Sequence, residues 1–385
     1  ALGVRAVDEK TLKVELTAPC PYLEALMALP ILAPLRRDQV EGGGLFGETE
    51  GALTTNGAYC LKPEKAEGTI ALARSKTYWD RASVRAESIC FSFLSQEEAA
   101  RETRAGRLAV SLVFPEGEQE ALAAEGLLAE AVGTGSWYVA FNTERAPFDD
   151  PRVRQAFALA LDAPAAAKAM QGKSAVAADA LISPLMRDAR TGEAFYAPGR
   201  YALVPEGERG EAARRALRQA GYPNGAGLGP VEFLVDQSDE ESGLARALCE
   251  QWRAALGVEV RLVVADRLET VRRRWEGEFQ MARATFANAL GDPLYTLDAE
   301  ITMAAYEEAS EEYAALASRA RSARDAQARR EALMGAERFL MENAVYAPVL
   351  FYGQRWIQAP GLRGAAFAPG GEMLLFGARW EGDFA

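Results

Sequence analysis

The length, composition and charge of the chain limit what it can be. Its 385 residues are 49% hydrophobic, which is enough for roughly two to three folded domains. Acidic residues outnumber basic ones by 55 to 43, and the net charge of −12 repels phosphate backbones and anionic lipid surfaces. The composition therefore argues against nucleic acid as a partner.

Neither a membrane span nor a leader is predicted. No run of apolar residues approaches the ~18 that a transmembrane helix needs. The opening ALGVRAVDEK has no basic segment followed by an apolar run and no initiator methionine. We therefore expect that the start of the chain has been trimmed.

The absence of histidine narrows the possible chemistry. It removes the usual general base, the Ser/His/Asp triad and the commonest zinc ligand, so hydrolase chemistry is disfavoured and no cofactor is expected. No CxxC pair is present for zinc or redox chemistry. The four cysteines are predicted to be buried thiols rather than disulfides: Cys20, Cys60, Cys90 and Cys249.

The first 160 residues are predicted to begin with strands and to continue with helices. TLKVEL places Leu12, Val14 and Leu16 on one face, and GAYCLKPE, TIALARS and ESICFSFL follow as an antiparallel meander. Two short helices, QEEAARETRAG and EQEALAAEG, precede the strand WYVAFN. The next helix begins in APFDDPRVRQAFALALD, where Asp150 is a capping residue and Pro151 suits the first helical position.

The region from 210 to 265 alternates between helix and strand. GEAARRALRQAGYPNG and SGLARALCEQWRAALG are helical patterns, and VEFLVDQ and VEVRLVV are strand patterns. Strand, helix and strand at this spacing predict a βαβ unit with a partly parallel sheet. A charged segment from about 304 to 343 predicts further helices, and AVYAPVLFYGQRWIQ a strand. The predicted fold class is α/β.

Acidic pairs and glycine-rich segments favour structural interpretations over catalytic ones. Adjacent acids such as Asp149 and Asp150, or Glu307 and Glu308, point apart, whereas glycosidases need two converging acids. The segments GGG (42–44) and NGAGLG (224–229) do not follow a strand and open a helix, so we interpret them as loops rather than phosphate cradles.

Two further segments leave alternatives open. The run RRRW (272–275) is either a solvated helix face or a holder of a carboxylate through arginine. FANALGDPLY (286–295) follows a predicted strand and is either a plain turn or a ligand loop, because α/β proteins bind ligands at strand ends.

Several segments, in their order and spacing, resemble one protein family. They are LKVELTAPCPYLEALM (12–27), TTNGAYCLKPEK (54–65), ARSKTYWD (73–80), WYVAFNTERAPFDDPRVRQAFALALD (137–162) and YAPVLFYGQRW (346–356). Together they resemble the bacterial extracellular solute-binding proteins of family 5, which serve oligopeptide and dipeptide ABC importers. The ordered set is more specific than any single motif and spans nearly the whole chain.

The resemblance implies a two-lobed periplasmic-binding-protein-like fold of type II, with mixed sheets flanked by helices and the ligand between the lobes. Residues 30–134 and 353–385 would form lobe I, residues 135–352 lobe II, and residues 1–29 the remnant of a small extra domain. Relatives carry a long further segment ahead of this start. The resemblance therefore implies an N-terminally truncated chain that lacks part of the cleft wall.

The resemblance also implies ligand-binding positions, residue by residue. Arg283 matches an arginine that pairs with ligand carboxylates, and Phe286 stands at an aromatic lining position. Arg274 and Tyr352 match cleft-facing positions. The position of an aspartate that often holds the peptide amine is occupied by Ala289 here, with Asp292 three residues later.

An acidic segment after VEFLVDQ, which includes Asp236, Asp239, Glu240 and Glu241, is predicted to be a loop. It would border the same cleft, where its charge would favour basic ligands; a solvated turn is the alternative.

The function implied by the resemblance is capture of a solute without catalysis. The chain would be a monomer outside the cytoplasm, lipid-anchored through the missing N-terminus, that binds oligopeptides and delivers them to an ABC permease. One alternative is a non-peptide solute such as a metal chelate or oligosaccharide, which Ala289 keeps open. Another is a truncated interaction or sensor module with no intact cleft. A hydrolase would require converging carboxylates.

Overall fold

The structure is a computed structural model that describes residues 3–41, 55–62, 68–170, 175–188, 191–237, 239–304, 310–368 and 371–381. Its strands are β1 (Val4–Ala6), β2 (Leu12–Val14), β3 (Tyr59–Leu61), β4 (Thr69–Arg74), β5 (Ser88–Ser92), β6 (Val110–Ser111), β7 (Leu128–Phe141), β8 (Ala175–Ala177), β9 (Val231–Asp236), β10 (Val260–Ala265), β11 (Met281–Ala287), β12 (Tyr346–Gln358), β13 (Leu362–Arg363), β14 (Ala366–Phe367), β15 (Met373–Leu374) and β16 (Arg379–Trp380). Its α-helices are α1 (Leu23–Met27), α2 (Arg37–Glu41), α3 (Gln96–Arg104), α4 (Gln119–Ala124), α5 (Pro151–Leu159), α6 (Ala163–Ala169), α7 (Arg209–Gln219), α8 (Asp239–Leu256), α9 (Arg267–Trp275), α10 (Pro293–Ala304), α11 (Glu311–Ser322) and α12 (Ala326–Glu342).

The chain divides into two compact units. Unit 1 comprises Ala1–Met27, Thr134–Gln171 and Ala175–Tyr352, and unit 2 comprises Ala28–Gly133, Gly172–Ser174 and Gly353–Ala385. The chain passes from one unit to the other within β7 and again within β12. Residues 1–27 group with unit 1, where the sequence predicted a separate remnant.

Unit 1 is built on a mixed sheet. Its strands lie in the order β10, β9, β11, β7 and β12, with β8 paired to Leu350–Tyr352 in the middle of β12. Strands β9, β10 and β11 are parallel to one another, and β7 runs antiparallel to β11. The predicted βαβ unit is confirmed, because α8 connects β9 to its parallel neighbour β10.

Both faces of this sheet are covered by helices. Trp137, Val139 and Phe141 of β7 lie in one hydrophobic core with residues of α5 to α8, whereas Tyr138 and Ala140 lie in a second core with residues of α10 to α12. Successive side chains of a strand point to opposite faces, so a strand covered on both sides is apolar at consecutive positions. A polar ligand of unit 1 is therefore expected at the strand ends rather than on a sheet face.

The strongest local prediction, the start of α5, is confirmed. Asp150 caps the helix by accepting a hydrogen bond from the backbone N–H of Arg152 at 2.8 Å, and Pro151 occupies the first turn. The Asp150 carboxylate also pairs with the Arg152 guanidinium. This hydrogen bond and charge pair hold the pKa of Asp150 below its usual range. The acid thus has the structural role that its position predicted.

Unit 2 contains smaller sheets. The predicted antiparallel meander is confirmed as β3, β4 and β5, and β6 pairs with the end of β12. Two two-stranded ladders follow, β13 with β16 and β14 with β15. Its compact core is formed by Ala100, Leu122, Leu127 and Ile357.

Some predictions were wrong in detail. Strands β1 and β2 form a hairpin, and the side chains of Leu12, Val14 and Leu16, which were predicted to share one face, are exposed. The cysteines are free thiols as predicted, but none is fully buried and Cys90 is exposed. Burial raises the pKa of the half-buried Cys249 thiol to about 12.

Two of the weak motifs fall outside the described residues: GGG at 42–44 and the pair Glu307 and Glu308. The segment 224–229 is a short 3-10 helix with turns, which agrees with the loop interpretation.

Gly353 allows β12 to approach β7 closely in unit 2. A Cβ atom at position 353 would lie 1.8 Å from the carbonyl oxygen of Ala131, so the backbones would have to separate. We expect Gly353→Ala to lower the free energy of unfolding by about 1–3 kcal/mol, the usual cost of overpacking. Urea denaturation followed by tryptophan fluorescence measures it. Gly117→Ala, also in unit 2 but with no heavy atom within 4 Å, is the control; an equal loss in both variants would contradict the steric argument.

Glu337 is a fully buried carboxylate on α12. Its Oε1 accepts from the backbone N–H groups of Leu181 and Ile182 at 3.0 and 2.8 Å, and its Oε2 accepts from the Tyr201 hydroxyl at 2.7 Å. Burial raises the pKa of Glu337 to about 7, although these hydrogen bonds act in the opposite direction. The carboxyl group thus connects Leu181, Ile182 and Tyr201 to α12 through hydrogen bonds.

This raised pKa predicts a pH-dependent stability. Between the unfolded pKa of 4.5 and the folded pKa of about 7, the folded state binds more protons, so the free energy of unfolding falls as pH rises. Relative to Glu337→Gln, the wild type should lose up to about 3 kcal/mol between pH 5 and pH 7.5. Urea denaturation at several pH values measures the difference. Glu331→Gln, on the exposed side of the same helix, controls for loss of a glutamate; parallel curves for wild type and Glu337→Gln would contradict the assignment.

Candidate binding site

Asp236, the last residue of β9, and Arg283, the third residue of β11, bring two charged side chains together. Nη1 of Arg283 donates to Oδ2 of Asp236 at 2.9 Å, and the two side chains are 11% and 8% exposed. Asp236 was placed near the candidate cleft by sequence, but its pairing with Arg283 was not foreseen. A ligand carboxylate at Arg283 would therefore share the guanidinium with Asp236.

An aromatic cluster lies at the C-terminal end of β11. The ring centroid of Phe286 is 5.4 Å from that of Tyr295, which in turn is 5.8 Å from that of Tyr22. All three side chains are half-buried. Burial raises the pKa of Tyr22 to about 12, so its hydroxyl is neutral at physiological pH. The cluster offers a partly exposed apolar surface three residues beyond Arg283.

Asn288 holds the loop that follows β11. Its Nδ2 donates to the carbonyl oxygen of Asp292 and to Oγ1 of Thr296, both at 2.7 Å. Its Oδ1 accepts from the backbone N–H groups of Leu290 and Gly291. Asn288 is fully buried, so these hydrogen bonds are shielded from water. The loop is therefore a fixed structure rather than a plain solvated turn.

Asp292, a predicted ligand residue, faces the interior of unit 1. Nη2 of Arg329 donates to both of its carboxylate oxygens at 2.7 and 2.9 Å, and the side chains are 1% and 0% exposed. Oδ1 also accepts from the backbone N–H of Leu294. This environment corrects the expectation for Asp292: its carboxylate stabilises the fold, and no oxygen faces solvent to hold an amine. Ala289, on the same loop, is half-buried.

Tyr352 lies beside the end of β11 that carries the aromatic cluster. A Cβ atom at Gly135 would lie 2.6 Å from two carbons of the Tyr352 ring, so the ring occupies the space that the missing side chain leaves. Gly135 is in register with Ala287, the last residue of β11. Gly135 is thus required for the position of Tyr352, a role that the sequence did not indicate.

Arg274 lies at the opposite end of the strands. It is at the C-terminal end of α9, is 8% exposed and lines a pocket with Asn142 and Phe279. The pocket lies at the end of β7 where Phe141 is in register with Met281, the first residue of β11. The structure therefore does not place Arg274 beside the aromatic cluster.

The remaining arginines of the RRRW run lie on the surface. Arg272 pairs with Glu269, Glu276 and Glu278, and Arg273 donates to the carbonyl oxygen of Glu278. Both are part of a solvated face, as one interpretation predicted.

Glu241 lies in the first turn of α8, so the predicted acidic loop is largely helix. Its side chain lies outside the described residues, and so do those of Asp239 and Glu240. Asp236 is thus the acid of this segment whose contacts are defined. The loop was mispredicted because the helical pattern was taken to begin at Ser242.

The predicted ligand residues therefore fall into separate groups. Phe286, Ala289 and Tyr352 lie at the C-terminal end of β11. Arg283 is the third residue of β11, Arg274 lines a pocket at the far end of β7, and Asp292 is buried. The sequence analysis missed Asn288 and Arg329. An asparagine shortly before Gly-Asp was a turn signal that could have indicated Asn288, whereas Arg329 carries no local signal.

Neither a metal-binding cluster nor a membrane-spanning helix is found in the part of the chain that the structure describes. No cluster of three or more acidic, cysteine or histidine side chains could hold a metal ion there. None of the described helices is long and apolar enough to cross a bilayer.

Comparison with known proteins extends over most of the chain. It is 27% identical over 371 residues to the periplasmic murein peptide-binding protein MppA of Escherichia coli, covering 94% of this chain and 67% of that protein. It is 24% identical over 392 residues to the oligopeptide-binding protein OppA of Bacillus subtilis, covering 99% of this chain and 71% of that protein.

A solved structure shows the same fold. The unliganded open form of MppA superposes with a TM-score of 0.80 at 25% sequence identity, covering 96% of this chain and 71% of that one. The fold is thus the mixed α/β fold of two-domain periplasmic peptide-binding proteins, as the sequence predicted. The family model for bacterial extracellular solute-binding proteins, family 5 Middle, matches residues 1–302. The chain therefore belongs to the bacterial extracellular solute-binding proteins of family 5.

Proposed function

We propose that this chain is the solute-binding component of an ABC importer and that its solutes are oligopeptides. The observation that carries the proposal is the match, along 94% and 99% of the chain, to relatives named for binding murein peptides and oligopeptides. The permease is the proposed partner, and the proposed location is outside the cytoplasm, as for the relatives. We propose that the chain acts as a monomer.

Peptide capture needs no catalytic group. Hydrogen bonds to the peptide main chain can bind a peptide of any sequence, and the charged termini of the peptide add charge-assisted contacts. Family and relatives are binding proteins, and the chain has no histidine for general-base catalysis. We therefore assign Arg283, Phe286 and Tyr352 to positioning a ligand rather than to chemistry.

Arg283 is the proposed contact for a ligand carboxylate. Asp236 accepts from its Nη1 and so fixes the guanidinium within the sheet edge. Arginine offers five N–H donors in a planar fork, which lets one guanidinium serve two carboxylates. The net attraction for a carboxylate is smaller than for an unpaired arginine, so the contact contributes orientation as well as affinity.

Phe286 and Tyr352 are the proposed apolar walls. Both side chains are half-buried. Both lie at the C-terminal end of β11, because Phe286 is in register with Ser136 and the Tyr352 ring covers the preceding residue, Gly135. Aromatic side chains bury large apolar areas and accept many side-chain shapes. Such walls suit peptides of varied sequence.

Ala289 favours a second candidate. In the family resemblance this position often carries the aspartate that holds the peptide amine, and an alanine methyl group cannot bind an ammonium ion. Asp292 does not replace it, because Arg329 occupies its carboxylate. A solute without a free amine, such as an oligosaccharide, is therefore the alternative ligand.

A comparison of tripeptides with free and amidated C-termini tests the role of Arg283. We expect wild type to bind the free acid more tightly by roughly tenfold or more, because a charge-assisted hydrogen bond contributes about 1.5–3 kcal/mol. In the double variant Arg283→Gln/Asp236→Asn this preference should disappear. Isothermal titration calorimetry measures both affinities, and the double change avoids leaving one buried charge unpaired.

The matched control is Arg261→Gln/Glu232→Gln, an exposed ion pair between the neighbouring strands β10 and β9. It should keep the wild-type preference. If the chain binds no peptide but binds an uncharged oligosaccharide, the alternative ligand is correct; equal affinity of wild type for acid and amide would remove Arg283 from the site.

A further inference from the structure

The aromatic cluster at the C-terminal end of β11 carries two tyrosine hydroxyl groups. The rings of Phe286 and Tyr22 both pack against that of Tyr295, and all three side chains are half-buried. No hydrogen bond defined within the described residues engages the hydroxyl of Tyr22 or of Tyr295. Burial raises the pKa of Tyr22 to about 12, so this hydroxyl keeps its proton at neutral pH and can donate a hydrogen bond. The cluster therefore combines an apolar surface with hydrogen-bond donors.

The positions of the two tyrosines are fixed by helices. Tyr22 immediately precedes α1, and its carbonyl oxygen accepts from the backbone N–H of Leu26 at 2.9 Å. Tyr295 lies in the first turn of α10, and its backbone N–H donates to the carbonyl oxygen of Asp292 at 3.1 Å. Residues 1–27, which group with unit 1, thus supply one side chain of the cluster.

The acidic side chains that act on the cluster are paired with arginines. Asp298 and Asp292 both influence Tyr22 electrostatically. Nη2 of Arg321 donates to Oδ1 of Asp298 at 2.6 Å. Nη2 of Arg329 donates to both carboxylate oxygens of Asp292. Because each acid is balanced by an arginine, these two pairs offer little attraction to a ligand ammonium group.

This balance of charge determines which chemical group suits the cluster. Ala289, in the loop between β11 and α10, adds no charge. An ammonium group would lose hydration against the half-buried rings without gaining an ion pair, which is costly. An acetylated amine is neutral, its methyl group packs on aromatic rings, and its carbonyl oxygen accepts from a tyrosine hydroxyl. The cluster therefore suits an acylated amine better than a free one.

The separation of Arg283 from the cluster matches a short peptide. Phe286 is three residues beyond Arg283 on β11, which corresponds to about 10 Å at a rise of ~3.3 Å per residue. An extended peptide has the same rise, so a tripeptide with its carboxylate at Arg283 reaches Phe286 with its amino end. The two ends of such a peptide meet different surroundings, an arginine at one end and a neutral aromatic cluster at the other.

We propose that Tyr22, Phe286 and Tyr295 form a subsite for an uncharged, acylated amino end, so that N-acylated peptides are preferred over peptides with a free amine. The acyl group packs on the three rings, and its carbonyl oxygen accepts from a tyrosine hydroxyl. The subsite rests on the proposed function, since it selects among the oligopeptides that the chain is proposed to bind.

Three tripeptides that differ only at the amino end test the subsite: trialanine, N-acetyl-trialanine and N-isopropyl-trialanine. All keep the free carboxylate, and the isopropyl form has the shape of the acetyl form but carries a positive charge. At pH 6, where both amines are charged, wild type should bind the acetylated peptide roughly tenfold or more tightly than either charged peptide. Isothermal titration calorimetry measures the three affinities. If a charged peptide binds as tightly as the acetylated one, the subsite is overturned and the proposed peptide function stands.

Variants of the cluster locate the acyl group. The double variant Tyr22→Phe/Tyr295→Phe keeps the rings, so it should bind N-acetyl-trialanine about threefold to tenfold more weakly than wild type and trialanine equally well. Tyr222→Phe is the matched control, because Tyr222 is a half-buried tyrosine that packs against the core with α5 to α8. Unchanged affinity of the double variant for the acetylated peptide overturns the placement of the acyl group on the cluster.

Ala289 allows a test in the opposite direction. Ala289→Asp adds a carboxylate to the loop that joins Phe286 to Tyr295, so the preference should shift toward trialanine by roughly tenfold. Ala289→Asn has the same size without the charge and should keep the wild-type preference. An unchanged preference in Ala289→Asp overturns the placement of the amino end at the cluster. If wild type binds none of the three peptides, the proposed function and the subsite are both wrong.

Discussion

Burial of the unit 1 sheet on both faces is the constraint on which the rest of this unit depends. With α5 to α8 on one side and α10 to α12 on the other, the strands between them are apolar at consecutive positions. Polar side chains that could meet a ligand are therefore displaced to the strand ends. Asp236 lies at the C-terminal end of β9, where it pairs with Arg283 of β11, and Arg274 lines a pocket at the far end of β7. The candidate sites thus follow from how the core is built.

The elements that sequence predicted well are those specified by neighbouring residues. The cap at Asp150, the βαβ unit and the antiparallel meander depend on spacings of a few residues, which a sequence displays directly. The side-chain partners were not predictable in this way. Asp292 is separated by 37 residues from Arg329, with which it pairs, so its sequence position beside Ala289 suggested a ligand role that burial excludes.

Local patterns also failed where the same residues are compatible with two different structures. The acidic run after β9 suits a solvated turn, but acids also suit the first turn of a helix, where they complement the helix dipole, and there the structure begins α8. In β2 the alternation of Leu12 and Val14 with charged residues predicted a strand with one apolar face, and that face is exposed because a two-stranded hairpin buries neither side by itself. Periodicity thus identified the strand but not its burial.

The charges at the two ends of the sheet have different consequences for a ligand. Asp236 pairs with Arg283, so Arg283 attracts a ligand carboxylate less strongly than an unpaired arginine would, and Ala289 offers no charge to a peptide amine. Under the proposed function, the rest of the affinity would come from main-chain hydrogen bonds and from apolar contact with Phe286 and Tyr352, which tolerate many sequences. At the other end of β7, Arg274 is 8% exposed and lines a pocket with Asn142 and Phe279. A net charge of −12 slows the approach of any anion, so a ligand carboxylate would be attracted only close to Arg283, where neighbouring protein atoms displace solvent and reduce screening.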